Sequence, residues 1–256
     1  MPTAANRRFP TGTPGIFAPR ILHGIHTDEV FSGYCDGAQE ARELHGVEVR
    51  LTPDIPRVYT LEDAMTTARY AVKYRDRGVV GIGLGGPEEG HPPEPYAEAF
   101  ALAREGGLAS VPHAGESVGA ESVRGALEKL GADRIRHGIR AVEDPGLVVE
   151  LAGRGTVLDV CPISNLRLGI VRSLEEHPLP QLVAAGVQCS ISTDDPAIFD
   201  TDLTRDYEAA RSLGVEPRAA FEAGLAGALC DDGTRKRLRG LGNSFEWAKV
   251  PEAELV

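Results

Sequence analysis

Three short clusters of ionisable residues follow apolar runs between residues 113 and 195. His113 and Glu116 are separated by Ala-Gly, His137 precedes a glycine, and Asp194 and Asp195 stand together before a proline. Imidazole and carboxylate groups are ligands of zinc in proteins, and they also serve as acids and bases in hydrolysis. The sequence therefore predicts a metal-assisted reaction site that several segments of the chain build together.

Each cluster lies at the end of a predicted strand. Apolar runs alternate with helical patterns from about Val47 onward, which is typical of βα units around a parallel sheet. Six strands are predicted, at Glu48 to Thr52, Val79 to Leu84, Leu108 to His113, Arg134 to His137, Thr156 to Cys161 and Val187 to Ser192. Because catalytic groups of a (β/α) barrel come from the C-terminal ends of different strands, this order favours a barrel.

The predicted helices carry clear start signals. Thr60 and Asp144 are N-cap residues, and a proline follows Asp144 at the first helical position. An earlier helix is predicted at Asp28 to Leu44. Three more are predicted after the last strand, at Asp202 to Leu213, Glu216 to Cys230 and Thr234 to Trp247.

Structural alternatives remain open for several of these residues. A lone histidine is often a hydrogen-bonded structural residue, and an aspartate before proline can simply cap a helix. Cys161 is either a nucleophile or a buried packing residue, and the second is more common for a free cysteine. Gly83, Gly85 and Gly86 resemble a dinucleotide-binding loop only weakly, and close approach of a flat ligand to the backbone explains them better. His177, before a proline, is predicted to be a surface or capping residue.

Composition narrows the class of partner. The chain has 256 residues and a net charge of −11, which argues against binding to nucleic acid or to an anionic membrane and favours a small-molecule partner. Four scattered cysteines without a C-x-x-C pair give no sign of a disulfide framework or a zinc ribbon. These free cysteines favour a reducing cytoplasm, and with no signal peptide and no apolar segment near 18 residues a soluble protein is expected.

The ordered motifs VPHAGE, RIRHGI, CPISNL and STDDPAIF make the chain resemble the adenosine deaminase family of metal-dependent hydrolases. This resemblance implies a (β/α)8 TIM-type barrel and hydrolytic deamination of a 6-aminopurine, either adenosine, adenine or 6-aminodeoxyfutalosine. It implies zinc ligation by His113 and Asp194, and proton donation to the purine ring by Glu116. His137 would orient the water and help to deprotonate it. Gly86 and Asp195 would contact the purine.

The chain is expected to lack two zinc ligands of the family pattern, which should weaken metal binding. The family begins with a strand carrying His-x-His, two further zinc ligands, and this chain is predicted to lack strand 1 and most of strand 2. Residues 1–15 are predicted to be disordered or non-homologous, and residues 16–256 to form the barrel domain. Only two protein ligands would then hold zinc, so weak binding is expected. The alternative function is an inactive remnant that binds at most a purine or a partner. Exposed strand edges would permit oligomers.

Overall fold

Parallel strands form the wall of the molecule. The computed structural model describes residues 25–247. Within them lie seven strands: β1 Asp54–Pro56, β2 Gly81–Gly85, β3 Ala109–Ser110, β4 His113–Ala114, β5 Arg134–His137, β6 Val157–Val160 and β7 Gln188–Ile191. One sheet has the order β1-β2-β3 and the other β4-β5-β6-β7, and every pairing is parallel.

Helices separate the strands along the chain. The α-helices of the described range are α1 Thr27–His45, α2 Leu61–Lys73, α3 Ala97–Glu105, α4 Ala120–Lys129, α5 Pro145–Arg154, α6 Pro162–Arg167, α7 Leu179–Ala184, α8 Pro196–Phe199, α9 Leu203–Ser212, α10 Pro217–Ala226 and α11 Asp232–Ser244. Thr60 and Asp63 form a capping box at α2, and the Asp144 side chain accepts from two backbone N–H groups at α5. Both predicted caps are confirmed, because a cap depends on residues that are neighbours in sequence.

Two packed cores flank the wall. One contains α1, α2 and α3 against β1 and β2, with Phe31, Ile82 and Phe100 at most 2% exposed. The other packs the later helices against β4 to β7 around residues such as Ile135 and Leu158. The arrangement is that of a (β/α) barrel, in which helices cover the outside of parallel strands.

The predicted strand at Leu108 to His113 is divided in the structure. β3 ends at Ser110 and β4 begins at His113. Pro112 lies between them and has no N–H to donate to a neighbouring strand, which interrupts the ladder. Val111 N still donates to Ile82 O at 2.8 Å, so the wall continues across the interruption.

The predicted strand at Glu48 to Thr52 is wrong in position. Only Leu51 forms an isolated bridge, to Val79, and the paired strand β1 begins at Asp54. Glu48 and Arg50 instead bind each other, and Arg237 of α11 donates to Glu48 at 2.7 Å. Strand pairing with β2 begins at Asp54 instead, where Gly83 and Gly85 leave room for the Asp54 carboxylate.

The expectation for residues 1–15 lies outside the described residues, as do both ends of the predicted barrel domain, residues 16–24 and 248–256. Within residues 25–247, no helix combines the length and apolar character needed to cross a membrane. The cytoplasmic location stays a prediction. In the same range β1 and β7 each have a paired neighbour on one side only.

Candidate active site

His113, His137, Asp194 and Asp195 line one cavity of about 330 Å³, whereas Glu116 is not among its lining residues. His113 belongs to β4, His137 ends β5, and Asp194 follows β7. Because parallel strands end at the same rim of a barrel, residues far apart in sequence meet there. The wall of this cavity includes Asp54, His113, Arg136, His137, Asp194 and Asp195.

Glu116, His137 and Asp194 form a cluster of possible metal ligands at this rim. One donor atom from each lies within 4.8 Å of those of the other two. His137 Nδ1 is 3.5 Å from Glu116 Oε1, and His137 Nε2 is 3.9 Å from Asp194 Oδ2. One imidazole and two carboxylates are suitable donors for zinc, so this group is compatible with a bound divalent ion.

His113 lies beside this group, with its ring centroid 5.3 Å from that of His137. Its Nδ1 is 3.0 Å from the carbonyl oxygen of Leu84, which can only accept a hydrogen bond. The proton therefore resides on Nδ1 and the lone pair on Nε2 is free. Burial, together with the positive charge of Arg136, holds the pKa of His113 well below its usual value. A neutral histidine oriented through its second nitrogen is the form that binds metals.

The backbone at two site residues is strained. His137 and Asp194 have φ values of 63° and 56°, in the left-handed region that non-glycine residues rarely adopt. Ser164 donates to Asp194 Oδ2 at 2.6 Å and helps to fix the carboxylate. Such conformations persist where the surroundings enforce them, and they cluster at functional sites.

The surroundings of Glu116 shift its carboxyl group toward the protonated form. Burial raises its pKa, and the negative charges of Asp194 and Glu88 act in the same direction, while His137 opposes them. A protonated carboxyl is a poor metal ligand but can donate a proton to a substrate. Glu116 is thus suited to general acid catalysis.

Glu88 was missed by the sequence analysis, although it holds the loop that carries Glu116. Its carboxylate accepts from the backbone N–H groups of residues 115–118, at 2.7 to 3.2 Å, and from the hydroxyls of Ser117 and Ser122. Although burial alone would raise it, these hydrogen bonds hold the pKa of Glu88 below its usual value. No local pattern could reveal this role, because the partners lie 27 to 34 residues further along the chain.

Arg57 and Asp54 were also missed. Arg57 is 2% exposed, and its Nη2 donates to the carbonyl oxygen of His113 at 2.7 Å. Asp54 accepts from Arg136 Nη1 at 2.6 Å, and its other oxygen is 3.6 Å from His113 Nδ1. Burial raises the pKa of Asp54, and Arg136 counteracts this. These contacts fix His113 from its backbone and from its ring.

Asp54 explains two of the glycines of β2, Gly83 and Gly85. A Cβ on Gly83 would lie 1.8 Å from Asp54 Oδ1, and one on Gly85 would lie 2.8 Å from Oδ2. In this structure the group that approaches their backbone is a side chain of the protein itself, where the sequence suggested a flat ligand. Gly86 follows with φ +93° and is not among the residues that line the cavity.

The structure bears on two alternatives, Asp195 as a helix cap or a site residue and Cys161 as a nucleophile or a packing residue. Asp195 occupies the N-cap position of α8 and lines the cavity, but its side chain makes no capping hydrogen bond. Burial raises its pKa. Cys161 is 4% exposed, and burial raises the pKa of its thiol well above the usual value, which favours packing over nucleophilic attack.

Comparison with known proteins agrees with this geometry. Residues 11–240 match the family model described as adenosine deaminase. The chain is 51% identical over 242 residues to an aminodeoxyfutalosine deaminase of Acidothermus cellulolyticus, covering 91% of this chain and 68% of that protein. It is 43% identical to an adenine deaminase of Rhizobium leguminosarum bv. trifolii, covering 84% and 68%. A zinc-bound amidohydrolase structure from Burkholderia ambifaria superposes with a TM-score of 0.84, at 27% identity, covering 91% and 66%.

Proposed function

The chain belongs to the adenosine deaminase family of hydrolases, and from this premise we propose that it releases ammonia from a 6-aminopurine with the help of a zinc ion. The observation that carries the proposal is the convergence of His113, Glu116, His137 and Asp194 at one barrel rim. The Zn in the Burkholderia ambifaria structure supports the choice of metal.

His113 and Asp194 are the proposed zinc ligands. His113 presents a free Nε2, because its Nδ1 is engaged with Leu84, and Asp194 is fixed by Ser164. Glu116 and His137 lie within donor distance of Asp194, but the raised pKa of Glu116 fits an acid better than a ligand. A zinc ion at this position would supply a strong nucleophile from water at neutral pH.

The remaining residues act on the substrate. Attack at C6 of the purine breaks its aromaticity and places charge on the neighbouring ring nitrogen. Glu116, protonated, would donate to that nitrogen, and His137 would orient the attacking water. Asp195 and the backbone at Gly86 would contact the ring. These two roles follow the family pattern at those positions.

For the substrate, we rank aminodeoxyfutalosine before adenine and adenosine. The relative that acts on aminodeoxyfutalosine is 51% identical to this chain, against 43% for the adenine deaminase. Both relatives are purine deaminases by name, so the three compounds should be compared directly as substrates. The change in purine absorbance and the released ammonia measure the reaction.

The decisive experiment combines metal content with one substitution. Protein equilibrated with excess zinc is expected to bind one zinc ion, weakly because two protein ligands hold it, and Glu116→Gln is expected to bind zinc equally while kcat falls about 10²- to 10⁴-fold, the usual contribution of a general acid. Glu98→Gln, at an exposed position on α3, is the matched control and should retain full activity. Protein without zinc that releases no ammonia would contradict the proposal and support a purine-binding remnant. An unchanged rate in Glu116→Gln would exclude Glu116 as the proton donor.

A further inference from the structure

A chain of three buried polar side chains leads from the interior of the protein to the active site. It consists of His177, Asn165 and His137, which are 2%, 0% and 2% exposed. Buried polar groups of this kind are normally paired, and the direction of each hydrogen bond limits the direction of the next. His177, predicted to be a surface or capping residue, accepts from the first N–H of α7 but is buried in the interior.

The protonation of His177 follows from its backbone partner. The N–H of Leu179 donates to His177 Nδ1 at 3.0 Å, so this nitrogen must be the acceptor. Burial lowers the pKa of His177 to about 4, which leaves the ring neutral at physiological pH. The single ring proton is therefore on Nε2.

The orientation of Asn165 follows in turn. His177 Nε2 is 3.2 Å from Asn165 Oδ1, and its N–H donates to that oxygen. The amide nitrogen then faces the active site, where it lies 3.4 Å from Glu116 Oε1 and 3.4 Å from His137 Nδ1. Each of its two N–H bonds has one acceptor.

The last step concerns His137. Because an amide N–H only donates, His137 Nδ1 must accept, and the ring proton is left on Nε2, 3.9 Å from Asp194 Oδ2. We propose that His177, acting through Asn165, is a positioning residue that fixes His137 in the tautomer with a protonated Nε2. His137 then presents a hydrogen-bond donor to the site.

This tautomer changes the expected role of His137. If the proposed deamination holds, His137 orients the attacking water by donating from Nε2, and it has no lone pair at that atom with which to remove a proton. Help in deprotonating the water, which the family resemblance implied for His137, is therefore excluded at this atom. A protonated Nε2 also excludes His137 as a zinc ligand through this nitrogen, which agrees with the assignment of His113 and Asp194.

Nuclear magnetic resonance of the histidine rings tests the proposal without an activity measurement. Two-bond ¹H–¹⁵N correlation spectra of protein labelled with ¹⁵N-histidine show which ring nitrogen carries the proton, and the His137→Asn spectrum identifies the His137 signals. In the wild type we expect protonated Nε2 and unprotonated Nδ1. The opposite pattern would overturn the proposal, whether or not the protein deaminates purines.

Substitutions at two positions test the hydrogen-bond relay from His177 through Asn165 to His137. Asn165→Asp is close in shape but replaces the donating amide nitrogen by an accepting oxygen, so it should place a proton on His137 Nδ1. His177→Gln retains one donor and one acceptor and should leave the wild-type pattern of His137 intact, whereas His177→Leu should produce a mixture of tautomers. Asn243→Asp, at an exposed position of α11, is the matched control and should change nothing. If the Asn165→Asp protein has native backbone amide chemical shifts, and so is folded, but His137 Nδ1 remains unprotonated, the relay is refuted. If that variant does not fold, the wild-type spectrum decides.

Discussion

The burial of His177 predicts a specific loss of stability in acid. Its pKa is lowered from 6.5 to about 4, and burial is the cause. Between these pH values the unfolded chain binds a proton at this residue and the folded chain does not. The stability that neutral His177 contributes is therefore complete above about pH 6.5 and is lost as the pH falls toward 4.

The size of the effect follows from the shift. Each pKa unit corresponds to 1.36 kcal/mol, so the full penalty is about 3 kcal/mol, and about 2.5 kcal/mol of it is reached by about pH 4.5. His177→Gln removes this titration but keeps a donor and an acceptor in a similar position. The free energy of unfolding of the wild type should thus fall about 2.5 kcal/mol more than that of the variant between pH 7 and about pH 4.5.

Urea unfolding followed by circular dichroism at several pH values measures this difference. The carboxyl groups titrate equally in both proteins, so their contributions to the free energy of unfolding cancel when the two pH profiles are subtracted. His45→Gln, at an exposed site in the last turn of α1, is the matched control and should follow the wild type within about 0.5 kcal/mol. Parallel profiles of wild type and His177→Gln would refute the claim that this imidazole is held neutral by burial.

Two further predictions concern the loop that carries Glu116. Glu88→Ala leaves four backbone N–H groups without their acceptor, and should lower the free energy of unfolding by about 3 kcal/mol or more in urea denaturation. A loss below about 1 kcal/mol would show that water replaces the carboxylate. Gly115→Ala should cost about 2 kcal/mol or more, because φ is +66° and the new Cβ would lie 2.3 Å from a valine methyl. Its control is Gly153→Ala, where nothing lies within 4 Å and helix propensity predicts a gain of about 0.5 to 1 kcal/mol. Equal stability of these two glycine variants would contradict the packing described for the loop.

Most of the local structure could be predicted from the sequence. Strand β5 has the predicted bounds Arg134–His137, and α1 differs from its prediction by one residue at each end. Caps, glycine stops and apolar runs act over a few residues, so the sequence displays them directly. The family and the enzyme class were also predicted correctly, because four ordered motifs each keep their chemistry at one strand end.

The chain order alone could place the candidate site residues on one rim, because the carboxyl ends of parallel strands converge. Only the tertiary structure decided which other side chains hold these site residues in position. Glu88, Arg57 and His177 meet their partners 27, 56 and 12 residues away, and no periodicity records such contacts. Their burial also sets the protonation of the site, because the cost of a charge depends on the surrounding atoms in space, and only the folded chain brings those atoms together.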